Sequence, residues 1–191
     1  VEQQKQFCNV INSEVTRLAR FVDDLLSISS MEVGSLAVDK QKVETARLFD
    51  EVLAKVQPLM EAKDLNFEVR LPEKMADVHL DKEKMVAVLV NLLGNAAKYT
   101  PAGGRVSLKV QIEAAQLKID VVDTGVGIAS DEVAMVFEKF YRSTDQRVQA
   151  ETGTGLGLAL AREVVRLHGG DITVESQLDR GITFTGTIPL K

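Results

Sequence analysis

Apolar residues recur at helical spacing from the first turns of the chain. Phe7, Ile11, Val15, Leu18, Val22, Leu25 and Ile28 step by three or four through residues 4–30, and no glycine or proline intervenes before Gly34. At 1.5 Å per residue this predicts a helix of about 40 Å, whose stripe needs a partner helix or a second copy to bury it. A connector, "SMEVGSLAVDKQ" (30–41), follows. Helical spacing returns from Val43 to about Ala62 through Leu48, Val52, Val56 and Met60, with Pro58 expected to end or kink it. Alternation of apolar and polar residues predicts strands at 65–72, 76–80, 105–113, 117–123, 171–176 and 182–190. Asp81 reads as the N-cap of a helix running to Lys98. "GLGLALAREVVRLH" reads as a helix closed by Gly169 and Gly170. Between Thr124 and Thr154 the periodicity dissolves into Gly, Ser, Asp and Thr, with one apolar island, "VFEKFYR".

These parts predict an α+β fold: a two-layer sandwich with a mixed or antiparallel sheet of about five strands and three helices on one face, preceded by a long N-terminal α-helix. The expected domains are 1–36 and 37–191. The chain has 191 residues, 45% hydrophobic and 27% charged, an ordinary globular composition. A net charge of −5 argues against a nucleic-acid partner, which needs a basic face. The single cysteine, Cys8, fits a reducing compartment, and no apolar run approaches a membrane span. The expected location is cytoplasmic, with any membrane anchor of a parent protein lying upstream.

Three stretches break the local rules of foldability. In "NLLGNAAKYT" (91–100), Asn91, Asn95 and Lys98 share one helix face, where an amide oxygen can ligate Mg²⁺ and a lysine can hold a phosphate. A capped, solvated helix face is the alternative. In "VVDTGVGIA" (121–129), a strand ends in Asp123 and runs at once into Gly125 and Gly127. Its carboxylate suits an exocyclic amine; a plain strand-exit turn is the alternative. In "ETGTGLGLAL" (151–160), Gly153, Gly155 and Gly157 open a helix, an arrangement whose exposed amides favour anions. The spacing is neither a GxGxxG dinucleotide fingerprint nor a P-loop. A flexible loop entering a helix is the bland reading.

The ordered set resembles the nucleotide-binding domain shared by sensor histidine kinases, DNA gyrase, MutL and the ninety-kilodalton chaperone, a Bergerat-type fold. It is most similar to the histidine kinases. "NLLGNAAKYT" resembles their N box, "DTGVGI" the first glycine box, "FEKFYR" the F box and "TGTGLGLAL" the second glycine box. "RLARFVDDLLSISSMEVGSL" resembles the second helix of the kinase dimerisation domain. The resemblance implies transfer of the ATP γ-phosphoryl group to a histidine, for relay to a response regulator, with ATP and Mg²⁺ bound. It implies that Asn91 holds Mg²⁺, that Asn95 and Lys98 lie near the phosphates, and that Asn91 and Lys98 serve catalysis. Tyr99 would lie beside the adenosine. Asp123 would accept from the adenine amine, with Gly125 and Gly127 giving the base room and Ile128 its apolar wall. Phe137 and Phe140 would anchor a lid over about 129–152, and Arg142 would reach phosphate. Thr154, Gly155, Leu156, Gly157 and Leu158 complete the nucleotide-facing set, with side chains at the glycines expected to collide with the triphosphate.

The chain departs from the family's pattern in places. The family's acceptor histidine sits on a first dimerisation helix, which is missing here; His79 and His168 read as structural. Self-phosphorylation is therefore not expected, while a homodimer through the N-terminal helix is. Ala87 stands where the family often carries Gln or Glu, Thr152 replaces a frequent glycine and Ser30 a common arginine. These departures keep an alternative open: a nucleotide-binding or docking module without phosphotransfer.

Overall fold

Strict alternation builds the sheet. Val106, Leu108 and Val110 of one strand and Leu117, Ile119 and Val121 of the next are buried, while the residues between them point to the other face. The computed structural model describes residues 2–113 and 115–190, and the side chains of Glu2, Gln3, Ser13, Arg17 and Arg20 are not among those described. The outer ends of the two expected domains, residues 1 and 191, lie outside the described residues. The Cα framework divides into two units, 1–36 and 37–191.

The first unit is helix α1 (Glu2–Glu32) and a short turn. Phe7, Ile11, Val15, Leu18 and Val22 of its apolar stripe are all exposed. No helix among the described residues is long and apolar enough to cross a membrane.

The second unit contains β1 (Gln41–Val43), α2 (Thr45–Ala62), β2 (Asn66–Arg70), β3 (Val78–Leu80), α3 (Lys82–Tyr99), β4 (Arg105–Glu113), β5 (Gln116–Asp123), α4 (Gln146–Gln149), α5 (Gly157–Leu167), β6 (Asp171–Gln177) and β7 (Gly181–Pro189). Five strands form one mixed sheet in the order β2-β4-β5-β7-β6, with β2 parallel to β4 and every other pair antiparallel. Helices α2, α3 and α5 supply the other half of the core: Leu48, Phe49, Val52 and Val56 from α2, Met85, Leu89 and Leu93 from α3, Ala161 and Val165 from α5.

Three expectations change. The strand at 76–80 does not join the main sheet; its core, β3, pairs with β1, a three-residue strand at the junction of the expected connector and the expected helix. Pro58 does not end its helix, because α2 continues to Ala62. Val56 and Met60 stay buried on either side of the proline, so their packing outweighs the hydrogen bond it removes. The segment 129–152 is not featureless: it holds a 3₁₀ turn at Val133–Met135 and the one-turn helix α4.

Buried polar groups tie the helix ends together. The Asp81 carboxylate caps α3, accepting from the Lys84 amide at 3.1 Å and from the Asp39 amide at 3.1 Å. The Asp81 amide in turn donates to Nε2 of His168 at 2.9 Å, and Nδ1 of that ring lies 2.7 Å from the Val164 carbonyl. An accepting Nε2 leaves the proton on Nδ1, so the ring is neutral and fully used. Burial holds its pKa below 6.5, with the Val164 carbonyl opposing. A folded state that disfavours protonation loses stability as pH falls below the unfolded value. Replacing His168 with the non-titrating Gln should lower the melting temperature most at neutral pH and progressively less down to about pH 5.5. Melting curves of both proteins across that range check this; a constant gap would contradict it.

Candidate nucleotide-binding site

The C-terminal half of α3 is where the three irregular stretches meet. Asn91, Asn95 and Lys98 occupy one half-buried face, while Leu92, Leu93, Ala96 and Ala97 are buried in the core. Helical geometry dictates this split, since positions four and seven apart return to the same side. Gly157, first residue of α5, lies against Asn91: a Cβ there would overlap the asparagine's Oδ1 and stand 2.9 Å from its Cγ. The amide nitrogen of Asn91 is buried and has no partner. At the far end of the same face, Lys98 donates through Nζ to the Thr152 carbonyl. The Lys98 ammonium also lies 4.9 Å from the centre of the Tyr99 ring. A Cβ on Gly153 would stand 3.3 Å from the Lys98 ammonium, 3.9 Å from Arg142 Nε and 4.0 Å from the Tyr99 hydroxyl. The Tyr99 carbonyl meets the other glycine stretch, accepting from the Val126 amide at 3.2 Å.

Asp123 continues the core-facing row Leu117, Ile119, Val121, so its carboxylate sits where the next apolar side chain would be. It is 5% exposed. Burial raises its pKa from 3.8 to about 6, and the amides of Gly125 and Ile182 pull the other way. The Gly125 amide donates to Oδ1 at 2.8 Å. Gly125 and Gly127 are needed by the protein's own packing. A Cβ on Gly125 would come 2.6 Å from the Tyr99 carbonyl oxygen, and one on Gly127, at φ +68°, would overlap the Gln177 carbonyl.

The second glycine stretch is likewise shaped by its protein neighbours. Gly155 adopts φ +73°, and a Cβ there would meet the Phe140 backbone at 2.6 Å and the Tyr141 carbonyl at 2.7 Å. Side chains at 155 and 157 would therefore strike the protein itself. Thr154 Oγ1 accepts from the Leu156 amide at 3.3 Å. Leu156 is fully buried and Leu158 packs on the core, so only their backbone faces the helix mouth. The first turn of backbone bonding in α5 starts with the Leu160 amide on the Leu156 carbonyl, which leaves the amides of Gly157, Leu158 and Ala159 without a carbonyl one turn back inside the helix.

The segment between the glycine stretches departs most from expectation. Phe137 does pack, edge-on to Phe184 at 6.2 Å and beneath the Arg162 guanidinium at 4.6 Å. The Phe140 ring does not: it is 57% exposed, and the residue holds the segment through its amide, which donates to the Gly155 carbonyl at 3.0 Å from a left-handed φ of 64°. Arg142 spends its Nη2 on the carbonyls of Val148, at 2.8 Å, and Glu151, at 2.6 Å. Glu132, in no recognisable motif, accepts from Ser143 Oγ at 2.5 Å and from the Thr144 amide at 2.9 Å. Lys63 is another residue missed: its ammonium caps α3 through the carbonyls of Ala97, at 3.0 Å, and Lys98. Both lie outside any local pattern, and their partners, beyond Lys63 at the close of α2, are set by folding.

The sequence signature of the histidine kinase-, DNA gyrase B-, and HSP90-like ATPases matches residues 80–191, more than half of the chain. The chain belongs to that ATPase family. Within it the similarity runs to sensor histidine kinases. The sensor histidine kinase WalK of Bacillus subtilis is 35% identical over 188 residues, 97% of this chain and 31% of WalK. The chain thus spans about a third of that relative. Among solved structures, full-length ShkA in complex with AMPPNP matches with a TM-score of 0.80 and 26% identity, over 98% of this chain and 39% of ShkA. The histidine kinase ThkA in complex with the response regulator TrrA shares the fold, with a TM-score of 0.74 at 22% identity over 98% of this chain and 51% of ThkA. ATP binding is the activity of this family's domain.

Two glycine substitutions separate backbone need from flexibility. Gly155→Ala should destabilise this ATPase domain by about 1–3 kcal/mol, since it combines a left-handed φ with a backbone collision. Gly94→Ala, in the interior of α3 with open space at its Cβ, should stabilise by roughly 0.5–1 kcal/mol. Urea unfolding of the two variants measures both signs.

Proposed function

We propose that this chain is the ATP-binding catalytic part of a sensor histidine kinase, which passes the γ-phosphoryl group of ATP to a histidine outside these residues and, through it, to a response regulator. The carrying observation is the juxtaposition on α3: amide and ammonium groups on one face, a buried carboxylate at one end, and a bare-backbone helix mouth against the other. In this reading Asp123 receives the adenine amine, Ile128 walls the base and Tyr99 lies beside the adenosine. Lys98 and Asn95 face the phosphates. The backbone at Thr154–Leu158 takes phosphate oxygens, as helix N-termini do, the Leu156 amide by giving up Thr154 Oγ1. Arg142 joins them by exchanging the carbonyls of Val148 and Glu151 for phosphate. ShkA was solved with an ATP analogue and ThkA with a response regulator, which supports both ligand and partner.

Mg²⁺ fits at Asn91. The described residues offer no group of three His, Cys, Asp or Glu side chains to hold an ion alone. The ion would take one ligand from the Asn91 amide oxygen and the rest from phosphate and water, as Mg²⁺ commonly does. Bound there, it would neutralise charge on the transferring phosphoryl group. The chain's own work is positioning: Asp123 orients the base, Lys98 steadies the phosphates, and the glycine stretch excludes side chains from their path. In this reading His168 is structural, its two ring nitrogens engaged by the Asp81 amide and the Val164 carbonyl. The setting we propose is cytoplasmic, where ATP is supplied. The exposed stripe of α1 pairs with a second copy; light scattering should give a dimer, and a monomer at all concentrations would refute the pairing.

Calorimetry with a non-hydrolysable ATP analogue tests the main reading. Binding should strengthen with Mg²⁺ and disappear in Asp123→Asn without a fall in melting temperature, because that change removes a buried charge. In the unaltered protein, affinity should drop about tenfold between pH 7 and pH 5, as a carboxylate with a pKa of about 6 takes up its proton. No heat at millimolar nucleotide, or binding by Asp123→Asn equal to the parent's, would overturn the assignment.

A further inference from the structure

The loop Gly125–Ile128 is held from behind by the β6–β7 hairpin. The Ile128 amide donates to Ser176 Oγ at 2.8 Å, and the same hydroxyl donates to the Gly181 carbonyl at 2.9 Å. A hydroxyl has one proton and free lone pairs, so Ser176 serves both neighbours at once. The Asp179 amide closes the turn onto the Val126 carbonyl at 2.8 Å. Two glycines let the backbones meet: Gly127 against the Gln177 carbonyl and Gly181 against the Asp123 carbonyl. Ser176 faces Ile182 across the hairpin, and the Ile182 amide is one of two that favour the ionised Asp123. Ile128 is 7% exposed, so its amide has no ready water to replace the serine.

We infer that Ser176 is a positioning residue for purine selection: its hydroxyl, joining Ile128 to Gly181, sets the loop against which the base lies and keeps the Asp123 carboxylate aimed at it. This rests on the reading that Asp123 receives the adenine amine. Ser176 acts through the loop and makes no contact with the nucleotide. Without the hydroxyl the Ile128 amide is orphaned, and the loop shifts until it finds a partner. The base contacts then suffer, while the phosphate contacts on α3 and α5 are spared. Selection between adenine and guanine is what weakens.

Calorimetry of the 191-residue protein with AMPPNP and its guanine counterpart tests this. Ser176→Ala should weaken AMPPNP binding about tenfold and narrow the adenine-to-guanine ratio, and Ser176→Thr, which restores a hydroxyl, should recover most of both. Thr185→Ala is the control: it removes a β7 hydroxyl that donates to Asp120 at 2.8 Å, remote from the loop, and should leave affinity and ratio unchanged. If Ser176→Ala does not fold, Ser176→Cys, with a weakly accepting thiol, carries the same comparison. Parental affinity and ratio in the serine variant would overturn the inference, as would equal losses for both nucleotides that merely follow melting temperature across the serine and control variants. If the unaltered protein binds no adenine nucleotide, the reading beneath falls, and this one with it.

Discussion

The polar face of α3 is roofed by backbone. Gly157 covers Asn91, Gly153 comes up to Lys98, and Gly125 packs on the Tyr99 carbonyl. A side chain at any of these positions would fill the space over the amides and the ammonium, or push the covering strand away. The remaining features follow from that constraint. The glycines bring two irregular stretches, some 30 residues apart in sequence, onto one helix, and the 129–152 segment is the length of chain left over between them. Under this roof the Asn91 amide nitrogen is buried without a partner, a cost on the order of 1–3 kcal/mol for such a group.

Asp123 shows the same trade from the sheet side. Period-two alternation carries it to the inner face, after three apolar residues that make the core. Burial pushes its carboxylate up to about 6, so the ionised form is held at neutral pH against the preference of its surroundings. Foldability alone would place a valine there. Natural chains break such local rules where a ligand repays the strain.

Much of this was legible in the sequence, and the reasons differ by element. The Asp81 cap, the β4–β5 hairpin and the Gly169 terminus rest on local chemistry, and they stand as expected. Asn91, Lys98 and Asp123 could be singled out because each violates the pattern around it. Strand β1 was hidden: three residues carry no periodicity, and the pairing depends on β3, some 37 residues later. Helix α2 runs through Pro58 to Ala62, the end its spacing predicts, because burial of Val52, Val56 and Met60 overrides a local penalty. The glycines were read as space for a ligand, yet what they accommodate first is the carbonyl of Gln177 and the backbone of Phe140, neighbours that no spacing rule reveals. Glu132, Lys63 and Ser176 belong to the same class, ordinary residues whose partners only the fold supplies.

The β6–β7 hairpin has a consequence for how the molecule is made. The loop after Asp123 leans on Ser176, Gln177, Asp179 and Gly181, about 50 residues further along the chain. A ribosome that has released the helices and the first three strands of the five-stranded sheet has delivered every residue of the α3 face, but not the support that gives Gly125–Ile128 its shape. The shape of that loop is thereby tied to the later hairpin: a product terminated before β6 carries the recognisable motifs and lacks their support, and hydrogen exchange on stalled nascent chains would see the loop protected only after β7 emerges.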